Sequence, residues 1–166
     1  ALELPDVSYD QRQSLNDVYA PSQTLLDNPT GSRELRFIDA IHDALGEAMR
    51  QWPELVLMGQ DIADYGGVFK ATEGYAEEFG EARVRNTPLC ESAIVGTSMG
   101  YAIAGGKSMM EMQFADFVTT GFNQIVNNLA KLHWRWGQNV DVVVRMPTGA
   151  GVAAGPYHSQ STEAWF

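Results

Sequence analysis

The sequence predicts an α/β fold in which a parallel β-sheet is covered by helices on both faces. Two observations lead to this prediction. Residues 55–58 and 140–146 are short apolar runs of the kind that buried parallel strands give. Other segments carry apolar residues at helical spacing, so that strands and helices alternate along the chain. In such sheets ligands bind beyond the carboxyl ends of the strands.

The predicted elements follow in order from Glu34 onward. Apolar residues at helical spacing from Phe37 to Met49 predict an amphipathic helix, which Trp52 and Pro53 end. Strands are predicted at residues 55–58, 83–86, 108–112 and 140–146. Further helices are predicted at residues 72–79, 89–104 and 116–136, the last with Asp116 as its cap.

Residues 1–32 differ from the rest of the chain, because turn and breaker residues separate isolated apolar ones. This stretch is predicted to be a linker or N-terminal arm, and residues 33–166 a domain. The chain has no initiator methionine and stops at Phe166 without terminal punctuation. We therefore expect a segment of a longer polypeptide, with the domain truncated at its C-terminal end.

Composition bounds the function. The 166 residues are about one domain's worth. A net charge of −10 disfavours a nucleic-acid or membrane-surface partner. One cysteine and three scattered histidines make a structural metal site improbable. No apolar run approaches the ~18 residues that span a bilayer, and no signal-like segment is present, so a cytoplasmic location is expected.

Residues 86–91 place a carboxylate, Glu91, where a predicted strand meets a helix. With Thr87 as the cap and Pro88 at the first helical position, a capping box would need its glutamate at residue 90, where Cys90 stands. Local spacing favours an acid that the helix dipole stabilises in the first turn. A carboxylate placed for acid–base chemistry is the alternative.

Two other segments carry candidate site residues. Phe114 and Phe117 lie three apart where a strand ends, a spacing that is typical of core residues and that also suits stacking on a flat heterocycle. His158 follows a glycine-rich loop, where a histidine is most often solvated but is also suited to proton transfer. Gly96, Gly100 and Ala104 form a small-residue stripe that indicates packing or a subunit interface. No nucleotide-binding glycine motif occurs.

Six segments in order carry a resemblance to a known family. They are MGQD at 58–61, YGGVFK at 65–70, NTPLCE at 86–91, QFADF at 113–117, FNQIVN at 122–127 and YHSQS at 157–161. From about Leu35 to Phe166 the chain resembles the beta subunit of thiamine-diphosphate-dependent 2-oxoacid dehydrogenases, in its transketolase-like pyrimidine-binding domain. The resemblance implies the thiamine-diphosphate-binding fold.

The resemblance also implies residue roles. Glu91 matches the glutamate that hydrogen-bonds the pyrimidine ring nitrogen and favours the imino tautomer that deprotonates the thiazolium carbon. Phe117 matches an aromatic position that packs on the pyrimidine, and Gln113 lies in the same cofactor-binding segment. His158 matches the active-site histidine that faces the substrate. Glu91 and His158 are thus the implied catalytic residues, and Glu91, Phe117 and Gln113 the implied cofactor contacts.

The implied reaction is oxidative decarboxylation of a 2-oxoacid with acyl transfer to a lipoyl group. The family's diphosphate and magnesium site, with its Gly-Asp-Gly motif, belongs to an alpha subunit or domain, and nothing in this chain matches it. The implied partners are that alpha subunit or domain, a second beta subunit in a heterotetramer, and a lipoyl-bearing acyltransferase.

Segments 86–91 and 113–117 resemble the branched-chain enzymes more than the pyruvate enzymes. Two alternatives remain open at this point. One is a transketolase-like enzyme that acts on sugar phosphates, against which the acidic charge argues mildly. The other is a non-catalytic assembly domain, which has no need of Glu91, the aromatic Phe117 and His158 together.

Overall fold

A computed structural model describes residues 10–19 and 33–166. Its centre is one four-stranded sheet in the order β2-β1-β3-β4, in which every neighbouring pair is parallel. The strands are β1 Leu55–Gly59, β2 Val84–Asn86, β3 Lys107–Glu111 and β4 Val142–Arg145. All four predicted strands are confirmed, each to within about two residues at either end.

Seven α-helices are described within these residues. They are α1 Gln11–Val18, α2 Phe37–Gln51, α3 Tyr75–Phe79, α4 Glu91–Ile103, α5 Val118–Asn123, α6 Leu132–Trp136 and α7 Gly155–His158. The prediction for α2 is confirmed at both ends. Helix α3 begins later than predicted, because Gly74 before it adopts a left-handed conformation (φ +81°) that interrupts the helical turn.

Alternate residues of the strands point into two separate apolar clusters, as the period of two requires. Leu57 of β1 and Met109 of β3 pack on one face beneath α2 and α3, with Met49 of α2 fully buried. Met58 and Met110 pack on the opposite face beneath α4. Helices therefore cover both faces, and the predicted fold class is confirmed.

The prediction of one long helix over 116–136 is wrong. This stretch consists of a 3₁₀ turn Ala115–Phe117, α5, a π-helical turn Gln124–Asn128, a second 3₁₀ turn Leu129–Lys131 and α6. Nor does Asp116 cap a helix: it lies inside the first 3₁₀ turn and its carboxylate contacts His158. That contact is long-range, and local spacing carries no sign of it.

The predicted start of helix α4 is also wrong. Thr87 is not a cap, because its Oγ1 has no hydrogen-bond partner among the described residues; its backbone N–H donates to Gly59 and extends the pairing of β2 with β1. Pro88 lies ahead of the helix, and Cys90 takes the cap position. Glu91 is consequently the first residue of α4, in the first turn as the dipole interpretation required.

Residues 10–19 of the predicted arm contain a helix that turn residues did not suggest. Asp10 caps α1 by accepting hydrogen bonds from the backbone of Arg12 (2.8 Å) and Gln13 (3.2 Å). The remainder of residues 1–32 lies outside the described residues, and the boundary at 32/33 stays a prediction. Over residues 10–19 and 33–166, no helix is both long and apolar enough to cross a membrane.

Candidate active site

The carboxyl ends of the four parallel strands lie along one edge of the sheet, and the segments that follow them carry the candidate residues. Gln60 follows β1, Glu91 lies five residues beyond β2, Phe117 follows β3 and His158 follows β4. This is the edge at which parallel α/β sheets bind ligands. The fold thus brings residues that are far apart in sequence to one place.

Glu91 is held at the start of α4 by two side-chain donors. Thr120 Oγ1 donates to Oε2 (3.0 Å) and Gln60 Nε2 lies 3.4 Å from Oε1. Helix α5 approaches the first turn of α4 closely at Gly121, where a Cβ would stand 3.4 Å from the Glu91 carbonyl oxygen. An ionised carboxylate has about four acceptor sites, so Glu91 keeps capacity for a further donor.

The second polar residue beside Glu91 is Gln60. Gln60 is 3% exposed, and its Oε1 atom is buried without a hydrogen-bond partner among the described residues. Buried polar atoms are almost always partnered, so an orphaned acceptor suggests a group that binds there. Glu91 and Gln60 together present carboxylate and amide oxygens that suit a nitrogen heterocycle bearing N–H donors, such as an aminopyrimidine.

An aromatic cluster stands next to this polar pair. The His158 ring stacks on Phe114, with centroids 4.5 Å apart and planes 16° apart, and meets Phe117 edge to face at 5.0 Å. Phe114 and Phe117 meet each other at 5.9 Å. Phe117 is half-buried and is not among the residues of the two apolar clusters, and its role at the site stays a prediction.

Thr120 lies between the cluster and Glu91, within hydrogen-bonding distance of both. Thr120 Oγ1, which donates to Glu91, also lies 2.9 Å from the carbonyl oxygen of Phe117. On the far side, His158 Nδ1 lies 3.1 Å and 3.2 Å from the two carboxylate oxygens of Asp116. Glu91, Phe117 and His158 are therefore joined in one series of contacts through Thr120.

Gln113 lies apart from this series. Its Nε2 donates to Asp61 Oδ2 (3.1 Å) in the loop after β1, where Asp61 itself adopts a left-handed conformation (φ +55°). In the described part of the chain its amide makes no hydrogen bond to Glu91. A role for Gln113 in cofactor binding stays a prediction.

Sequence reasoning did not single out three residues of the site: Gln60, Asp116 as a partner of His158, and Thr120. Gln60 and Asp116 lie within the segments 58–61 and 113–117 that carried the family resemblance, so the signal was present but was not assigned to them. Thr120 is an ordinary helical residue in sequence. Only its position one turn from Phe117 and opposite Glu91 gives it a role.

A second carboxylate at the same edge, that of Glu111, is buried and paired. Glu111 ends β3, is 1% exposed and forms an ion pair with Arg145 opposite it on β4. Burial raises the pKa of Glu111, an effect that the charge of Arg145 and its hydrogen bond oppose. Metal ligation is not indicated there or elsewhere in residues 10–19 and 33–166, where no three histidine, cysteine or acidic side chains gather.

The fold and these contacts define a class of protein, and comparison with known families places the chain in it. Residues 33–166 match the transketolase pyrimidine-binding domain, and the chain belongs to this family. The predicted family resemblance is confirmed.

Two similar proteins are branched-chain dehydrogenase subunits. The 2-oxoisovalerate dehydrogenase subunit beta of Bacillus subtilis (strain 168) is 46% identical over 134 residues, which are 80% of this chain and 41% of that protein. The mitochondrial 2-oxoisovalerate dehydrogenase subunit beta 2 of Arabidopsis thaliana is 43% identical over 137 residues, 81% of this chain and 38% of its own length.

A third relative acts on another substrate by name. The pyruvate dehydrogenase E1 component subunit beta of Leifsonia xyli subsp. xyli (strain CTCB07) is 40% identical over 136 residues, covering 81% of this chain and 40% of the relative. The chain thus spans about 40% of the length of these curated relatives.

Proposed function

We propose that the protein to which this chain belongs is the beta component of a thiamine-diphosphate-dependent 2-oxoacid dehydrogenase that acts on a branched-chain 2-oxoacid and transfers the acyl group to a lipoyl group. The observation that carries the proposal is the pair at the sheet edge: the Glu91 carboxylate, held by Thr120, beside the orphaned Gln60 oxygen. The names of two of the reported relatives agree with a branched-chain substrate.

Thiamine diphosphate, when bound, supplies the electron sink that decarboxylation of a 2-oxoacid requires. Toward its pyrimidine end, Glu91 would offer a carboxylate able to share a proton with a ring nitrogen, and Thr120 would keep that carboxylate oriented. Phe117 offers a half-buried ring for packing against a flat heterocycle. His158, beside Phe117, is the proton-transfer group that faces the substrate.

The diphosphate end requires a partner. This chain has no Gly-Asp-Gly motif, and no cluster of metal-ligating side chains occurs in the described residues. We assign the diphosphate and magnesium ion to an alpha subunit or domain, with which the carboxyl edge of this sheet completes the site. A second beta subunit and a lipoyl-bearing acyltransferase complete the proposed assembly.

The branched-chain preference rests on the relatives and on two segments of the site. Two branched-chain subunits are 46% and 43% identical to this chain, although a further branched-chain subunit, at 38%, falls below the Leifsonia pyruvate subunit, at 40%. The amino-acid sequences of segments 86–91 and 113–117, which contain Glu91 and Phe117, resemble those of the branched-chain enzymes. Pyruvate is the competing substrate.

The test compares decarboxylation of 3-methyl-2-oxobutanoate with that of pyruvate by the complete protein and its alpha partner, with thiamine diphosphate and magnesium present. A preference for the branched acid that disappears in Glu91→Gln supports the proposal. A preference for pyruvate overturns the substrate assignment alone. Cofactor binding without turnover of either acid would point to a sugar-phosphate enzyme, and absence of cofactor binding to an assembly domain.

A further inference from the structure

The geometry points to Asp116 as a positioning residue: we infer that its carboxylate holds the His158 ring so that Nδ1 carries the proton and Nε2 is the nitrogen presented to substrate. The inference rests on the proposed function for what His158 does. The arrangement of the two side chains is independent of the reaction.

The contact between the two side chains determines the tautomer. His158 Nδ1 lies 3.1 Å and 3.2 Å from the two oxygens of Asp116. An ionised carboxylate only accepts hydrogen bonds, so Nδ1 must be the donor. The neutral imidazole then has a bare Nε2, which no hydrogen bond engages within the described part of the chain. That nitrogen is free to accept or return a proton.

The side chains of Asp116 and His158 differ in their exposure to solvent. The Asp116 side chain is 14% exposed and that of His158 is 36% exposed, so the ring has one side toward the carboxylate and another toward solvent. Phe114 stacks on one face of the ring and Phe117 meets it edge to face. A 180° flip of the ring would keep its plane stacked on Phe114 but would turn Nδ1 away from the carboxylate, so Asp116 is the contact that fixes which ring edge faces it.

One turn supplies all of these restraints. Phe114, Asp116 and Phe117 lie in or next to the 3₁₀ turn after β3, which the Phe117 N–H closes by donating to the Phe114 carbonyl (3.2 Å). The turn that places Phe117 for the proposed cofactor therefore also places His158. Placing a packing surface and a proton-transfer group from one turn is the kind of preorganisation that catalysis exploits.

His158 needs such a restraint because its own segment offers few. It ends the four-residue helix α7, after two left-handed residues, Ala153 (φ +56°) and Gly155 (φ +66°). Within the segment, Ala154 N–H donates to Ser159 Oγ (3.0 Å). Asp116 is the long-range polar contact of His158, and it joins this loop to the end of β3.

The first test does not depend on turnover. Magic-angle-spinning NMR of the complete protein with ¹⁵N-labelled histidine, with His158→Gln to assign the signal, distinguishes protonated from bare ring nitrogens. We expect a protonated Nδ1 and bare Nε2 in the native protein, retained in Asp116→Asn, which keeps an acceptor, and lost in Asp116→Ala. A protonated Nε2 in the native protein, or no change in Asp116→Ala, overturns the inference.

The second test is a double-mutant cycle on decarboxylation by the complete protein with its alpha partner. Asp116→Ala should lower kcat about 10- to 100-fold with little change in KM, and Asp116→Asn should recover part of the loss. In a His158→Ala background the same Asp116→Ala change should cost less than about twofold, because Asp116 acts through His158. Equal losses in both backgrounds overturn the inference.

A matched control is Asp141→Ala, which removes a more exposed aspartate that pairs with Lys107 at the opposite end of the sheet. It should leave kcat and the His158 signal unchanged. If neither 2-oxoacid is turned over while the NMR signals behave as expected, the positioning of His158 by Asp116 is supported and the proposed function fails. The two failures are therefore distinguishable.

Discussion

Glu91 and Glu111 are both acids that lie at the carboxyl edge of the same sheet, yet their surroundings differ. Glu111 is 1% exposed and its charge is matched by Arg145. Glu91 is half-buried, has two uncharged donors and lies beside an acceptor with no partner. Position at a strand end therefore does not by itself mark a catalytic acid. Unused hydrogen-bonding capacity and partial exposure distinguish Glu91 from its neighbour.

The largest expected effect is that of Glu91→Gln on activity. Loss of the shared proton should lower the decarboxylation rate of the complete enzyme on the order of 10²- to 10⁴-fold. The melting temperature should change little, because glutamine keeps the shape and can still bond to Thr120. Glu77→Gln, an exposed substitution of the same kind on α3, is the control and should leave the rate unchanged. A decarboxylation rate within twofold of native for Glu91→Gln would contradict the catalytic role that distinguishes Glu91 from Glu111.

Arg145→Met should have the opposite profile. It leaves the Glu111 charge buried and unpaired, which costs about 3–5 kcal/mol of the free energy of unfolding. The control lies on the same two strands: Lys107→Met breaks the exposed pair with Asp141 and should cost at most about 1 kcal/mol. Denaturant unfolding of both variants measures the difference. Equal losses would show that burial does not separate the two pairs.

The difference in free energy of unfolding between the native protein and Arg145→Met should become smaller as the pH is lowered. Burial raises the pKa of Glu111 above its usual 4.5 in the folded state, and removing the opposing Arg145 raises it further. A raised acid pKa means that the folded chain takes up the proton first. The cost of the buried charge is thus complete above the folded pKa, declines as pH falls through it, and has gone near the unfolded value.

The measurement is the free energy of unfolding of Arg145→Met and of the native protein as the pH is lowered from about 7 to about 5. The difference between them should shrink toward the lower pH, whereas the deficit of Lys107→Met should stay flat. A deficit that grows on acidification would show that Glu111 is not the group responsible.

The smallest effect is expected from Thr120→Val. It removes the 3.0 Å donor to Glu91 and should lower the decarboxylation rate about 3- to 10-fold. Thr119→Val is the matched control, because each hydroxyl can donate its one proton to a backbone carbonyl three residues back and only Thr120 has Glu91 as an alternative acceptor. Similar losses in both variants would assign the effect to the backbone contact.

The sequence predicts the sheet well because strand burial has a local signature. β1 is buried along its whole length, and its continuous apolar run shows this directly. The broken helix over 115–136 was not predictable in the same way. The 3₁₀ turn that begins it is coupled to Asp116 and His158, which are 42 residues apart in sequence.

The site likewise contains residues that the sequence indicates and residues that it does not. Glu91, Phe117 and His158 were assigned through motif resemblance, and the structure brings them into one series of contacts, although their roles stay proposals. Gln60 and Thr120 were not found, because each matters only through its distance to Glu91. Glu111 and Arg145 illustrate the reverse case: their pairing follows from strand register, which a single sequence does not reveal.

The central proposal is that Glu91 would promote removal of the thiazolium-carbon proton when thiamine diphosphate is bound. The most direct test is the rate at which the thiazolium-carbon proton exchanges with solvent deuterium in the complete protein with its alpha partner, compared between native and Glu91→Gln at equal cofactor saturation. The account predicts exchange at least about 100-fold slower in Glu91→Gln. Equal exchange rates would contradict it.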